Sequence, residues 1–307
     1  MPSVRRLVWD LPAAEQAGVE GIEQSFYAFT IAPSADGLSL VGVVKQELAA
    51  GDRLFALSSV TGLDDWARVG EIFDGDPVTR NPLLRRSGTG YHMHYESAGV
   101  CYAAAATWPT FTPDGGNPLF SPAQATTALG VTVTSVWLND YCVDDSGNYW
   151  FFGNYWDYAE PGVAGMWYSI GSSVTSLRDV QDAQILTVAG ESLENVGGYN
   201  GSQTVFELNG RAYMCYSKEE SDTAGSIVWA TAQVGDWSAW TKVAQWPETV
   251  VRGPAGNWNN HFAWRPQVLK SVTPWRVPLT FGGKLWLAHS GKVSDGPSES
   301  GIVSCKY

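Results

Sequence analysis

Apolar and polar residues alternate with a period of two along most of the chain, broken at short intervals by Gly, Asn, Asp or Pro. That period sends successive side chains to opposite faces of an extended strand. Five segments share one arrangement: a short strand, a turn ending in Gly, and a strand of alternating aromatic and small residues. They span residues 29–41, 82–95, 141–152, 205–217 and 277–290. Each predicts a hairpin whose Gly supplies the positive φ of a tight turn. Helical periodicity is weak, and residues 11–18 and 122–129 predict no more than a turn or a short helix.

A second repeat supports the first. Residues 55–72 align without gaps on residues 229–246, with Ala56/Ala230, Val60/Val234, Trp66/Trp240 and Val69/Val243 identical and Arg68/Lys242 conservative. The hairpin glycines Gly37 and Gly210 keep nearly the same spacing. Three units of about 58 residues fit that distance and about five fill the chain, four antiparallel strands to a unit. The C-terminal run 301–307 matches a third strand such as Ser226 to Trp229, so the last unit lacks its fourth. Arg5-Arg6-Leu7-Val8-Trp9 reads as a strand without a unit of its own. The expected fold is therefore all-β: one domain over residues 1–307, a five-bladed β-propeller closed by an N-terminal strand completing the last blade. Such a latch removes an exposed edge.

Composition narrows the function. Lys and Arg number 19 against 31 Asp and Glu, a formal charge of -12, which disfavours nucleic acid and anionic membrane surfaces as partners. The N-terminus shows no secretory h-region, and no apolar run is long enough to span a bilayer. Cytosolic synthesis is expected, with release from the cell or incorporation into a virion as further fates. Cys101, Cys142, Cys215 and Cys305 lie far apart in apolar runs and read as buried free thiols. Fifteen Trp is a high count. Most suit a stacked-sheet core, while the remainder suit a sugar-binding surface, because the apolar face of a sugar ring stacks on an indole.

In a propeller the innermost strands surround a central funnel, and residues at one end of them converge there. Those positions are Glu20 and Glu23, Arg80 and Asn81, Asn139 and Asp140, Glu194, Asn200 and Gln203, then His261 and Arg265, with Trp137, Trp258 and Trp264 as a rim. Acids, amides, arginines and a His in one pocket fit a neutral polyhydroxylated ligand. His92 and His94 share a strand face, but no third ligand lies nearby in sequence, so no metal is expected. The turn Asp144-Asp145-Ser146-Gly147 reads as a turn only. No phosphate loop, nucleophile elbow or zinc spacing appears, and no cofactor is expected.

The blade cadence, with phrases such as Leu63-Asp64-Asp65-Trp66-Ala67-Arg68-Val69-Gly70 and residues 206–217, resembles the five-bladed glycoside hydrolases, the arabinanase, xylosidase and levanase relatives. The resemblance covers most of the chain as rhythm. It implies a funnel-shaped sugar site with three carboxylates: a base or nucleophile in blade one, an orienting Asp, and an acid Glu before the first strand of blade four. The nearest matches are Glu23, Asp140 and Glu194. Arg80-Asn81-Pro82 stands where the family pattern has Arg-Asp-Pro, and Gly201 occupies the aligned position of the acid. Arg80, Asn81, Asn139, Gln203, Trp258, His261, Trp264 and Arg265 would then contact substrate. Two readings follow. One is a glycan-binding propeller that also hydrolyses a polysaccharide if its acids are in place. The other is a non-catalytic receptor-binding or structural propeller of a phage tail or virion, held among other subunits.

Overall fold

The computed structural model describes residues 3–6, 26–48, 51–61, 66–73, 79–159, 164–179, 182–189, 200–221, 224–243, 262–272, 274–281, 284–292 and 298–306. Strand β1 (Ser3–Arg6) opens the chain. One sheet follows with β2 (Phe26–Pro33), β3 (Leu40–Leu48), β4 (Gly51–Ser59) and β5 (Ala67–Ile72) in chain order. The next holds β6 (Arg80–Ser87), β7 (Gly90–Glu96), β8 (Val100–Ala105) and β9 (Thr112–Pro113). The third holds β10 (Ser135–Val143), β11 (Tyr149–Trp156), β12 (Ala164–Gly171) and β13 (Gln184–Leu186). All the rest join one ten-stranded sheet: β14 (Val188–Ala189), β15 (Asn200–Leu208), β16 (Arg211–Ser221), β17 (Ala224–Gln233), β18 (Trp240–Lys242), β19 (Phe262–Val268), β20 (Thr280–Phe281), β21 (Lys284–Lys292), β22 (Ser298–Lys306) and β1.

The all-β propeller is thus present, with a correction to its count. Among the described residues the ring divides by hydrogen bonding into four blades rather than five. The expected fourth and fifth are joined through the parallel pair Gly225↔Phe262 between β17 and β19. The inner strand of the last unit also differs from the sequence reading. It is β19, whereas residues 277–281 return to it only as the short β20, after an excursion bridged by Lys270↔Pro278. Three prolines, Pro266, Pro274 and Pro278, crowd this stretch, and none can donate a backbone N–H. The N-terminal strand pairs antiparallel with β22, Ser3↔Ser304 through Arg6↔Gly301. Its described residues begin two positions before the expected stretch.

Strands β2, β6, β10, β15 and β19 touch in succession, and β19 touches β2, so five strands close a ring about the centre. Each loses register with its hairpin partner at the same level: between Tyr27 and Thr30, Arg80 and Leu83, Leu138 and Asp140, Gly201 and Thr204, and Trp264 and Gln267. Four of these irregularities hold a non-glycine residue at positive φ: Ala28, Asn81, Ser202 and Arg265. A bulge re-aims a side chain that a regular strand would send to a fixed face.

Among the described residues, apolar side chains fill five clusters between neighbouring sheet faces. One of them, around Phe206, Trp229, Val268 and Leu287, lies between the two halves of the ten-stranded sheet. The repeated Trp66 and Trp240 are both buried, Trp66 edge-on to Phe29 at 5.0 Å. Each fully buried large side chain of this kind stabilises the fold by about 1.5–3 kcal/mol. Cys101, Cys142 and Cys215 are buried, as expected. Residues 11–18 lie outside the described residues. The segment after β9 forms one helix, α1 (Pro122–Leu129), with a Ser121/Gln124 capping box and left-handed Gly130 at its end. Ala125 and Leu129 turn it into the core.

Candidate functional site

The centre of the ring is polar and closed. Asp140 on β10 is wholly buried, and its Oδ1 accepts from Arg85 Nη2 at 2.5 Å and from the Tyr141 amide at 2.7 Å. Its Oδ2 accepts from Lys270 Nζ at 2.5 Å, Thr204 Oγ1 at 2.8 Å and the Val205 amide at 2.7 Å. Burial alone would raise this carboxyl. The Lys270 ammonium and then the Arg85 guanidinium outweigh it, and they hold Asp140 ionised, below the usual carboxylate value. Gln267 on β19 accepts at Oε1 from Thr30 Oγ1 at 2.8 Å and donates from Nε2 to the Asn139 carbonyl at 2.8 Å. Thr30 in turn accepts the Leu84 amide at 3.0 Å. Side chains of one central strand therefore satisfy backbone groups of the next.

Above this network lies the mouth. The bulges aim Asn81, Asn139, Ser202 and Arg265, with Ala28 and Gln267, around a cavity of about 30 Å³, room for about one or two waters at its base. Arg265 Nη1 donates to Asn81 Oδ1, and Asn81 Nδ2 donates to Glu96 Oε2 at 2.5 Å. Glu96 Oε1 accepts from Ser135 Oγ at 2.6 Å, and Arg80 Nε lies 3.9 Å away. On the next wall Asn139 Nδ2 donates to Asn154 Oδ1 and, at 3.0 Å, to Gln203 Oε1. Asn154 Oδ1 also accepts the Ser202 amide at 2.6 Å. Two further positive-φ amides are held alike, Ala28 by Ser290 Oγ at 3.0 Å and Arg265 by Ser217 Oγ at 2.7 Å. Second strands thus pin the bulges, and the mouth is an array of amides, a hydroxyl and a guanidinium fixed before any ligand arrives.

Several sequence-selected residues meet here and others do not. Asn81, Asn139 and Arg265 line the cavity. Gln203 is fully buried behind Asn139 and donates to the Gly153 carbonyl at 2.8 Å. Arg80 sits on the rim between Glu96 and Asp52. Asp140 lies beneath the mouth with both oxygens saturated, so no position on it is open to substrate. Trp137 is buried and does not form a rim. Glu20, Glu23, Glu194, Trp258 and His261 lie outside the described residues, as does the side chain of Trp264. Glu96, Ser135, Asn154 and Ser202 were not selected from sequence. Counting outward from the Gly88–Gly90 turn places Glu96 opposite Asn81, but the bulge there shifts the count by one and pairs it with Arg80.

His94 Nε2 donates to the Val174 carbonyl at 3.2 Å, and burial holds this imidazole neutral, down to about 3. Among the described residues no three His, Cys, Asp or Glu side chains group to hold a metal. The turn after Tyr141 is built as a turn, with Asp144 Oδ1 accepting the Ser146 and Asn148 amides. A larger groove of about 420 Å³ opens between the β2–β3 turn and the Ser271–Leu279 excursion, lined by Leu38, Leu40, Val60, Leu279, Trp286 and Arg86. Arg86 there already donates to the Gly88 and Ala35 carbonyls. The groove lacks the convergent amides of the mouth.

No protein-family model matches the sequence, and no curated protein matches it significantly. Solved structures do. An α-L-arabinofuranosidase from Podospora anserina in complex with cellotriose is 12% identical, over 99% of this chain and 96% of that one, with a TM-score of 0.70. A GH62 hydrolase in complex with xylotriose is 10% identical over 99% and 97%, TM-score 0.70. The endo-arabinase of Bacteroides thetaiotaomicron is 15% identical over 92% and 94%, TM-score 0.61. At such identities the likeness establishes the fold: this chain is a β-propeller of the architecture that those glycoside hydrolases share.

Proposed function

We propose that this protein is a polysaccharide-directed propeller of the glycoside-hydrolase kind, which receives a neutral glycan at the mouth of its ring. One observation carries the reading: five central strands break register at one level and gather Asn81, Asn139, Ser202 and Arg265 into a rigid set of neutral and cationic hydrogen-bonding groups. Sugars are recognised by such fixed donors and acceptors, whose orientation is set before binding. The structural neighbours with cellotriose and xylotriose are consistent with that ligand class. In this reading the ten-stranded sheet is two blades welded at Gly225↔Phe262, which makes five in all. The fifth central strand and the fifth apolar cluster support that division.

For hydrolysis the reading keeps Glu23 as base or nucleophile and Glu194 as acid, with Trp258, His261 and Trp264 as substrate contacts. Glycoside hydrolysis usually takes two carboxyls about 5–10 Å apart, one of them protonated. Glu96, hydrogen-bonded to the cavity-lining Asn81, is committed to Asn81 and Ser135. Asp140 serves as the anion that holds the ring centre. No observation among the described residues favours a virion role.

The test is oligosaccharide affinity and reducing-sugar release on arabinan, xylan and cello-oligosaccharides. Asn81→Ala is expected to weaken oligosaccharide binding by about tenfold, one lost hydrogen-bonding group at a fixed site. Glu23→Gln and Glu194→Gln are expected to abolish release while binding persists. Binding that Asn81→Ala leaves unchanged would move the site away from the mouth.

A further inference from the structure

Strand β11 ends on the mouth side of the ring, where Trp156 pairs with Ser135. Beyond it the chain turns under tight control. The Trp156 carbonyl accepts from the Thr134 amide at 2.9 Å and from Thr134 Oγ1 at 3.1 Å. The Tyr158 amide donates to that same Thr134 Oγ1 at 2.8 Å. Asp157 is 1% exposed, turned inward, and accepts the Ala159 amide at 3.0 Å. With Asp157 facing in, its neighbour faces out: Tyr158 is 62% exposed, its ring 5.9 Å from that of Trp156 and tilted by 30°. Neither ring belongs to the five apolar clusters. The fold leaves Tyr158 in water beside a partly buried Trp156, with the turn fixed by three hydrogen bonds to Thr134.

A buried hydrogen-bonded relay joins this turn to the mouth. Ser135, across the ladder from Trp156, donates to Glu96, which accepts from the cavity-lining Asn81. From Asn139 to Ser135 is four residues of strand, about 13 Å, more than one sugar ring can cover. We propose that Trp156 and Tyr158 form a second, outlying subsite, on which the apolar face of a sugar stacks while another unit of the same chain sits in the mouth. The ligand class is then an extended neutral oligosaccharide rather than a single sugar. The inference rests on the mouth being a glycan site. Stacking of this kind needs no charge and tolerates different sugars, because C–H faces and the π-surface carry it.

The experiment is titration calorimetry with xylo- and cello-oligosaccharides from mono- to hexasaccharide on wild type, Tyr158→Ala and Tyr158→Phe. Wild type is expected to gain affinity with chain length. Tyr158→Ala is expected to lose about five- to tenfold on the longer chains and nothing on the monosaccharide, while Tyr158→Phe matches wild type. Tyr158→Ala binding every length like wild type overturns the subsite and leaves the mouth reading standing. An equal loss at every length also overturns it, because the ring would then act within the mouth. Wild type binding none of these sugars overturns both.

Discussion

Asp140 accepts five hydrogen bonds, two of them from cations, in the middle of the molecule. Its sequence signature, an acid at the end of an inner strand, is the same as that of a catalytic carboxylate, so local pattern could not separate the two roles. What separates them is the partners, Arg85 and Lys270, which come from other parts of the ring. Asp140→Asn leaves both cations buried without an anion, and it is expected to cost about 3–5 kcal/mol in a urea titration. A loss under 1 kcal/mol would contradict the central role given to this pair. Acid should act elsewhere first. His94 and His289 are buried and neutral, held by burial at about 3 and about 4. The unfolded chain binds their protons from about pH 6.5 downward, so stability falls as pH drops from there toward 4. The slope is about 1.4 kcal/mol per pH unit for each histidine. Asp140, whose value is lowered, contributes fully throughout that window, and its share is lost only at still lower pH. Denaturant midpoints between pH 7 and pH 4 measure the slope. A flat profile would mean that one or both imidazoles are charged in the fold.

The strands themselves were largely legible. Alternation and Gly turns mark four of the five inner hairpins, and the 55–72/229–246 repeat marks equivalent third and fourth strands, β4–β5 and β17–β18. The bulges were not, because nothing in Ala28, Ser202 or Arg265 announces a positive φ, and Asn81, of a type that tolerates one, fits a regular strand as well. None is Gly, and the amides of Ala28, Ser202 and Arg265 are held by acceptors on neighbouring strands. The last unit was misread for a related reason: its inner strand is interrupted, and the sequence-adjacent hairpin at residues 277–290 looked like the whole. Strain at the bulges makes a separable prediction. Ala28→Gly removes a Cβ from left-handed backbone and is expected to stabilise the protein by about 0.5–1 kcal/mol, without altering the mouth's polar groups. Thermal unfolding checks this. A destabilised variant would show that packing of the Ala28 methyl outweighs the backbone cost.

At the scale of the whole molecule, the ring closes by pairing β1 with β22, residues some three hundred positions apart in chain order. Removing residues 1–6 would expose β22 as an edge. The truncated protein is expected to unfold at lower temperature and to self-associate, which sedimentation and scanning calorimetry would detect. Ring closure is also what gathers the mouth, since Arg265 reaches Asn81 only because β19 comes back beside β2, the neighbour of β6. The most direct measurement is a crystal structure of the protein soaked with xylotriose. The account predicts a saccharide hydrogen-bonded to Asn81, Asn139 and Arg265 at the mouth. A saccharide seated instead in the groove of Leu38, Val60 and Trp286, with the mouth holding water alone, would contradict it.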